Sequence, residues 1–332
     1  MNLSKLNTIL ADEPRFRIKQ ARQAVWLDLI EDWGGATSLP AELREKLKQA
    51  CPLEILAEVF RSKDKATEKA AITLVDGKKI ETVLMRHKDG RLTVCVSTQV
   101  GCPLGCLFCA TGKMGFVRNL TAEEISEQVL FWNRQLKKAG EKERVSNVVF
   151  MGMGEPALNY ENVISAIKEM NDKDGLNLGA RKFSISTVGI TEGIERLAKE
   201  KLQINLAISL HAADDKLRTE LMPINKKYSI RKIMAAVDDY IKKTRRKVMF
   251  EYLLLDGIND SEQNARALAK LMKKPLYHVN LITYNPTGAF RPSGRQAVER
   301  FKKILERERV SVSQRYSFGQ DIKAACGQLC SM

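Results

Sequence analysis

The sequence predicts an α/β fold: a partial barrel of parallel strands, preceded by a small N-terminal helical domain and a β-extension. Three observations predict it. From about residue 92 onward, short β-branched runs alternate with amphipathic helical stretches. Strands joined through helices return to one sheet as parallel neighbours, so this rhythm implies crossover units. The strand-like runs number six or seven, too few for a closed eight-fold barrel. Upstream, "KAAITLVDGKKIETVLMRHKDGRLTVCVST" places DGKK and KDGR between alternating runs, the pattern of a β-meander.

Residues 1–65 read as amphipathic helices, "RIKQARQAVWLDLIEDW" and "PAELREKLKQACPLEILAEVF", separated by the loop "GGATSLP". Residues 66–91 form the β-extension and 92–332 the barrel. A strand over 92–98 runs into a cysteine-rich loop, and helix 121–139 opens on Thr121 and Glu124, a capping box. Strands follow at 147–151, 182–187, 204–210, 248–255, 278–283 and 310–315. Between them, helices begin near Tyr160 and Thr191, run to about Lys243, and occupy 261–273 and 294–308. In such folds the chemistry gathers at the C-terminal ends of the strands.

Composition narrows the partners. Lys and Arg number 55 against 40 Asp and Glu, a formal net charge of +15. That balance suits a protein that meets a polyanion, and equally a soluble chain from a lysine-rich proteome. Basic residues cluster in "KKTRRK" at 242–247 and again at Arg291, Arg295, Arg300, Lys302 and Lys303. No apolar run is long enough to span a membrane, and the first residues lack a signal-peptide pattern, so a cytoplasmic protein is expected. The seven cysteines (51, 95, 102, 106, 109, 326 and 330) are odd in number and unevenly spaced, which favours metal or redox chemistry over a disulfide scaffold.

Cys102, Cys106 and Cys109 have the spacing C-x3-C-x2-C on a loop that also holds Gly101 and Gly105. Zinc sites usually add a second cysteine pair or histidines, and only His87, His211 and His278 exist in the chain. Three thiolates suit a 4Fe–4S cluster with one iron left open. Polar groups recur at the successive strand ends: Gly154 and Glu155 in "GMGEP", Ser186 in "ISTVG", Ser209 and His211 in "SLH", and Asn285 in "TYNPTG". Each alone is an ordinary turn or cap residue. Together, on the face where the chemistry is expected, they suggest a binding site.

With Phe108 as its aromatic, C-x3-C-x-aromatic-C resembles the signature of the radical S-adenosylmethionine (SAM) superfamily. The resemblance implies a cluster held by Cys102, Cys106 and Cys109, with SAM on the open iron. One-electron cleavage of SAM there yields a 5′-deoxyadenosyl radical. The set "ETV" (81–83), "CVSTQVGC", "FMGMGEP", "SLH", "LMPIN", "HVNLI" and "AACGQL" narrows the match, and "FRIKQ" extends it into the helical segment. It closely resembles the RlmN/Cfr-type methyltransferases, which methylate an adenine of 23S ribosomal RNA.

That resemblance assigns roles by position. Gly154, Glu155, Ser186, Ser209, Leu210, His211 and Asn285 would bind SAM. Cys326 would accept a methyl group from one SAM, and a second SAM would supply the radical that activates it. Glu81, otherwise read as a strand-surface carboxylate, would remove the ring proton. Cys95 would release the product by forming a transient disulfide with Cys326. Cys330 and Cys51 have no place in the pattern and read as incidental and structural. The implied partners are 23S rRNA, tRNA, and an electron donor of the flavodoxin or ferredoxin kind, with a monomer expected. Pro156 in "GMGEP" favours methylation at adenine carbon 2, with carbon 8 as the alternative. A non-enzymatic RNA-binding protein with an Fe–S or zinc site fits the charge but leaves Cys95 and Cys326 without a purpose. Another radical SAM reaction, such as glycyl-radical activation, leaves the Cys326 segment unexplained.

Overall fold

The structure, a computed structural model, describes residues 6–315 and 318–330. Positions 1–5 of the predicted helical domain, and 316–317 and 331–332 of the predicted barrel, lie outside the described residues.

Helices α1 (Leu6–Ile9), α2 (Arg15–Trp26) and α3 (Ala41–Ala50) come first. Strands β1 (Leu56–Arg61), β2 (Thr67–Thr73), β3 (Lys79–Arg86) and β4 (Leu92–Cys95) follow as an antiparallel meander. A hairpin of β5 (Gln99–Gly101) and β6 (Phe116–Asn119) then brackets the single-turn helix α4 (Ala110–Lys113). After it the chain alternates: α5 (Ala122–Lys138), β7 (Asn147–Phe150), α6 (Tyr160–Asn171), β8 (Phe183–Thr187), α7 (Thr191–Leu197) and β9 (Asn205–Ser209). It continues through α8 (Asp215–Leu221), α9 (Ile230–Thr244), β10 (Val248–Leu254), α10 (Glu262–Leu271), β11 (Tyr277–Thr283), α11 (Arg295–Arg307) and β12 (Val312–Arg315).

One ten-stranded sheet runs β1-β2-β3-β4-β7-β8-β9-β10-β11-β12, parallel from β4 onward. Six crossovers therefore join the parallel strands, and β12 does not close against β4: the partial barrel expected. Strand β10 is buried along nearly its whole length, as a parallel strand covered on both faces must be. Thr121 and Glu124 form the anticipated capping box of α5.

Two local expectations fail. The periodicity of "LEILAEVF" predicts helix, yet β1 is an edge strand with Leu56, Val59 and Phe60 exposed. Pro52 cannot continue α3, and pairing with β2 then overrides the helical periodicity. The predicted strand 92–98 leaves the main sheet at Cys95, and the β5–β6 hairpin starts four residues later.

The helices ahead of β1 have their own apolar core, including Trp26, Trp33, Leu43, Leu47 and Leu53, which takes in Leu130 of α5. Other α5 residues, among them Ile125, Val129 and Trp132, belong to the barrel core. Arg134 of α5 donates to the Leu53 carbonyl at 2.8 Å and also to the Ile30 carbonyl. Helix α5 is thus a wall shared by two cores.

The cysteine loop depends on backbone shape. Gly101 adopts φ 74°, and a Cβ there would lie 1.9 Å from the Gly115 carbonyl oxygen. Gly105 also has positive φ, 63°, but open space around it. Gly105→Ala is therefore expected to cost about 1 kcal/mol, the penalty for a left-handed L-residue. Gly101→Ala must also move the β5–β6 hairpin and should lower the melting temperature several-fold more, as thermal unfolding of the two variants would measure.

Candidate active site

The three clustered thiols face one cavity of about 160 Å³ at the C-terminal ends of the parallel strands. Backbone bonds fix their loop: Cys102 N–H donates to Gly115 O at 2.8 Å, Leu107 N–H to Leu221 O at 3.0 Å, and Ala110 N–H to Gly327 O at 2.7 Å. Cys106 is buried, and Cys102 and Cys109 are half-buried. Burial pushes the Cys102 thiol up to about 12, with the neighbouring Cys109 adding to the shift. Cys106 is raised further by burial and by both other cysteines. Cys102 and Cys106, both pushed up, need a nearby cation before they become thiolates. Among the described residues no three His, Cys, Asp or Glu side chains converge on a single-ion site. The thiols line a cavity instead, which fits a cluster that binds each thiolate through a separate iron.

The "GMGEP" glycines are required by close packing within the chain. A Cβ on Gly152 would sit 2.7 Å from Val96 O, and one on Gly154 (φ 98°) 2.6 Å from Gln99 Cβ. Gly154 and Glu155 still border the cavity. Glu155 is buried, with Oε1 accepting from Ala157 N at 3.0 Å and Oε2 from Val188 N at 2.9 Å. Burial outweighs these donors and pushes its carboxyl up to about 7.

Ser186, Ser209 and His211 line the same cavity, and the two serine hydroxyls approach to 3.3 Å. His211 has left-handed backbone (φ 59°), and its Nδ1 accepts from Leu253 N at 3.1 Å. Its ring meets Phe108, the aromatic of the cysteine motif, edge-on with centroids 4.8 Å apart. Burial and the Arg218 charge hold its pKa at about 3, so it is neutral at physiological pH. Leu210 is fully buried with its amide on Glu251 O at 3.0 Å, and it does not border the cavity. Asn285 lines a second, adjoining cavity, where Nδ2 donates to the Cys326 carbonyl at 3.2 Å and Oδ1 accepts from Gln320 at 2.7 Å.

That second cavity joins Cys95 and Cys326 with Arg315 and Met151. Both cysteines are free thiols. Burial pushes the Cys95 thiol up to about 12; Cys326 adds to the rise and Arg315 opposes it. Arg315 Nη1 lies 3.5 Å from Met151 Sδ, and its pKa is raised chiefly by Cys326. Sequence reasoning missed Arg315, although it ends the last predicted strand. Glu81 is buried, where its residue type and position on a strand predict a surface carboxylate. Its Oε1 pairs with Lys69 Nζ at 2.8 Å and its Oε2 accepts from Cys330 N at 2.7 Å, outside both cavities. Lys69 and the Cys330 amide are partners the sequence did not reveal.

Glu155 generates a pH prediction. Its folded pKa of about 7 lies above the ordinary 4.5, so the folded state takes up a proton first as pH falls. Its contribution to stability is complete below about 4.5 and is lost as pH rises through about 7. Glu155→Gln should flatten the melting-temperature profile of the apoprotein across that window.

A profile of the Radical SAM superfamily matches residues 96–269. A probable dual-specificity RNA methyltransferase RlmN of Chloroflexus aurantiacus is 47% identical, over 99% of this chain and 91% of that protein. A ribosomal RNA large subunit methyltransferase N of Nitrosopumilus maritimus is 44% identical, over 95% and 92%. The crystal structure of a radical SAM methyltransferase from Sphaerobacter thermophilus superposes with a TM-score of 0.94 at 44% identity, covering 99% and 97% of the two chains. Among the described residues no helix is long and apolar enough to cross a membrane. With thiol loop, strand-end polar groups and tail cysteine arranged as above, the chain belongs to the RlmN family of radical SAM RNA methyltransferases.

Proposed function

We propose that the chain methylates carbon 2 of an adenine in 23S rRNA, and of an adenine beside the tRNA anticodon, through an S-methylated Cys326. One observation carries this reading: Cys326 borders both cavities, facing the three-thiol loop in one and Cys95 in the other. A residue that must take a methyl group, be activated beside a cluster and then be resolved by a second thiol needs that position.

Cys102, Cys106 and Cys109 would hold the cluster, with Glu155, Ser186, Ser209, His211 and Asn285 around SAM. When bound, the cluster and SAM supply the one-electron chemistry that activates an otherwise inert S-methyl group. The chain's own residues do the rest. The Cys326 thiolate bonds the methyl carbon of one SAM as the sulfonium bond breaks, with the Arg315 guanidinium bordering the same cavity. Once the S-methylene carbon is bonded to the base and the adduct has given up the one electron that the cleavage of SAM consumed, Glu81 takes the ring proton. The Cys95 thiolate then bonds the Cys326 sulfur as the carbon–sulfur electron pair passes to the methylene carbon, which takes a proton to become the methyl group, leaving a disulfide. Glu81 reaches the proton only after the Cys330 amide has yielded Oε2.

The helical segment 1–65 is assigned to RNA contact, the β-extension 66–91 contributes Glu81, and 92–332 carries the rest of the reaction. The "KKTRRK" stretch is not at the mouth of the site. It links α9 to the first residue of β10, on the face opposite the cavities, where Arg246 bonds Asn205 at 2.9 Å. The carbon-2 assignment draws on the names of the RlmN relatives and on Pro156. A cytoplasmic monomer served by a small one-electron donor completes the reading.

Anaerobically reconstituted protein should cleave SAM to 5′-deoxyadenosine and give 2-methyladenosine in RNA hydrolysates; 8-methyladenosine would overturn the regiochemistry. Cys326→Ala should abolish methylation, whereas Cys95→Ala should accumulate a protein–RNA adduct on denaturing gels; normal turnover by the latter removes its resolving role. Lys69→Met leaves the buried Glu81 carboxylate without its cation and should cost about 3–5 kcal/mol in chemical denaturation, most of it recovered by adding Glu81→Gln.

A further inference from the structure

Arg218 on α8 is fully buried, and neither the sequence motifs nor the proposed reaction use it. Its Nε donates to Leu210 O at 3.0 Å. One terminal nitrogen donates to Asn225 Oδ1 at 2.7 Å and Tyr228 O at 3.3 Å; the other to Val188 O at 2.6 Å and Ser209 O at 3.0 Å. Three of these carbonyls belong to the segments that leave β8 and β9, where Ser186, Ser209 and His211 meet the cavity. Val188 is gripped from both sides, since its amide is the donor to Glu155. The helix that carries Arg218 also receives Leu107 of the cysteine loop at its last residue, Leu221.

All of these acceptors are neutral. Among the described residues no carboxylate stands within ion-pair distance of the guanidinium. A buried cation without a counter-charge is costly to desolvate. The ionisable groups it senses most are Cys106 and Asp215, and its charge acts in turn on Cys106 and His211. The direction of the imbalance is what matters: the helix tied to the cysteine loop through Leu107 and Leu221 carries an uncompensated positive charge.

We propose that Arg218 is a positioning residue that holds the ends of β8 and β9 against SAM and supplies the fixed positive charge that offsets the anionic, thiolate-bound cluster. This rests on the reading of Cys102, Cys106 and Cys109 as its ligands. A cluster that accepts one electron from an external donor gains one negative charge, and a nearby buried cation favours that reduced state. Arg218 therefore makes the cluster easier to reduce, while its five hydrogen bonds keep the SAM-facing backbone in place.

Two variants separate charge from bonding. Arg218→Gln is neutral but keeps an amide that can serve some of the carbonyls; Arg218→Lys keeps the charge with fewer directed donors. Each is reconstituted anaerobically, checked for iron and sulfide, and titrated with dithionite under redox mediators while the reduced-cluster EPR signal is followed. SAM binding is measured by calorimetry without reductant. Arg218→Gln should keep full iron and sulfide but shift the midpoint potential to more negative values, and Arg218→Lys should retain the wild-type potential. Both should bind SAM about tenfold more weakly, the effect of losing one or two net hydrogen bonds. A fully loaded Arg218→Gln cluster with wild-type potential overturns the charge role, and undiminished SAM affinity in both variants overturns the positioning role. If Arg218→Gln fails to fold, Arg218→Lys decides: a shifted potential or unchanged SAM affinity sinks the assignment. Cys106→Ala tests the underlying reading separately, because full iron and sulfide in that variant would remove the ligand set itself.

Discussion

The tie between the chain's tail and its cysteine loop is the constraint on which the site depends. Ala110 N–H donates to Gly327 O, and the Thr111 hydroxyl donates to Leu329 O at 2.6 Å. Gly327 permits it, with φ 84° and a position where a Cβ would press within 3.2 Å of Phe108 O. These contacts join residues more than two hundred positions apart and bring Cys326 over the thiol loop. Asn285 holds the Cys326 carbonyl from the β11 side. Without this closure the two cavities would be open clefts, and Cys326 would belong to neither.

The site is also a place where charge is kept out of water. Glu155, Arg218, Glu251 and the Lys69–Glu81 pair are all buried at or behind the strand ends. Ordinary folding economy disfavours such an arrangement, because each desolvated charge needs compensation. Glu155 takes backbone amides, Glu251 takes both contacts from Asn280, Glu81 takes Lys69 and a tail amide, and Arg218 takes carbonyls. The compensation is polar but mostly neutral, so the region stays electrostatically unbalanced. An unbalanced, preorganised interior is what a site for charged intermediates requires.

Much of the fold could be read in advance because its signals are local. The crossover rhythm, the Thr121 capping box and the DGKK and KDGR turns each lie within a few residues. The cysteine spacing is local in the same sense. What escaped was long-range or overridden locally. The periodicity of "LEILAEVF" suits a helix, and only pairing with β2 makes it a strand. The partners of Glu81 come from position 69 across a hairpin and from position 330 at the tail, and no spacing rule connects them. Arg218 is a single arginine in ordinary amphipathic surroundings; burial alone distinguishes it, and burial of a cation is not written in its neighbours. Arg315 is half-buried, and only the two cavities it borders set it apart. Leu210 is the converse case: its side chain lies in the core, while Ser209 and His211 on either side line the cavity.

Helix α5 has a mechanical consequence. Its Leu130 is built into the core of the leading helices while Ile125, Val129 and Trp132 are built into the barrel, and Arg134 bolts the two with backbone hydrogen bonds. A flexible tether would let the helical segment search for a ligand independently. A shared wall does the opposite and turns the molecule into a caliper of fixed span. Whatever those helices grip is presented to the cavities at one distance and one angle. Selection of a nucleotide within a folded polymer can then rest on where that nucleotide lies relative to the grip, and not on the letters around it.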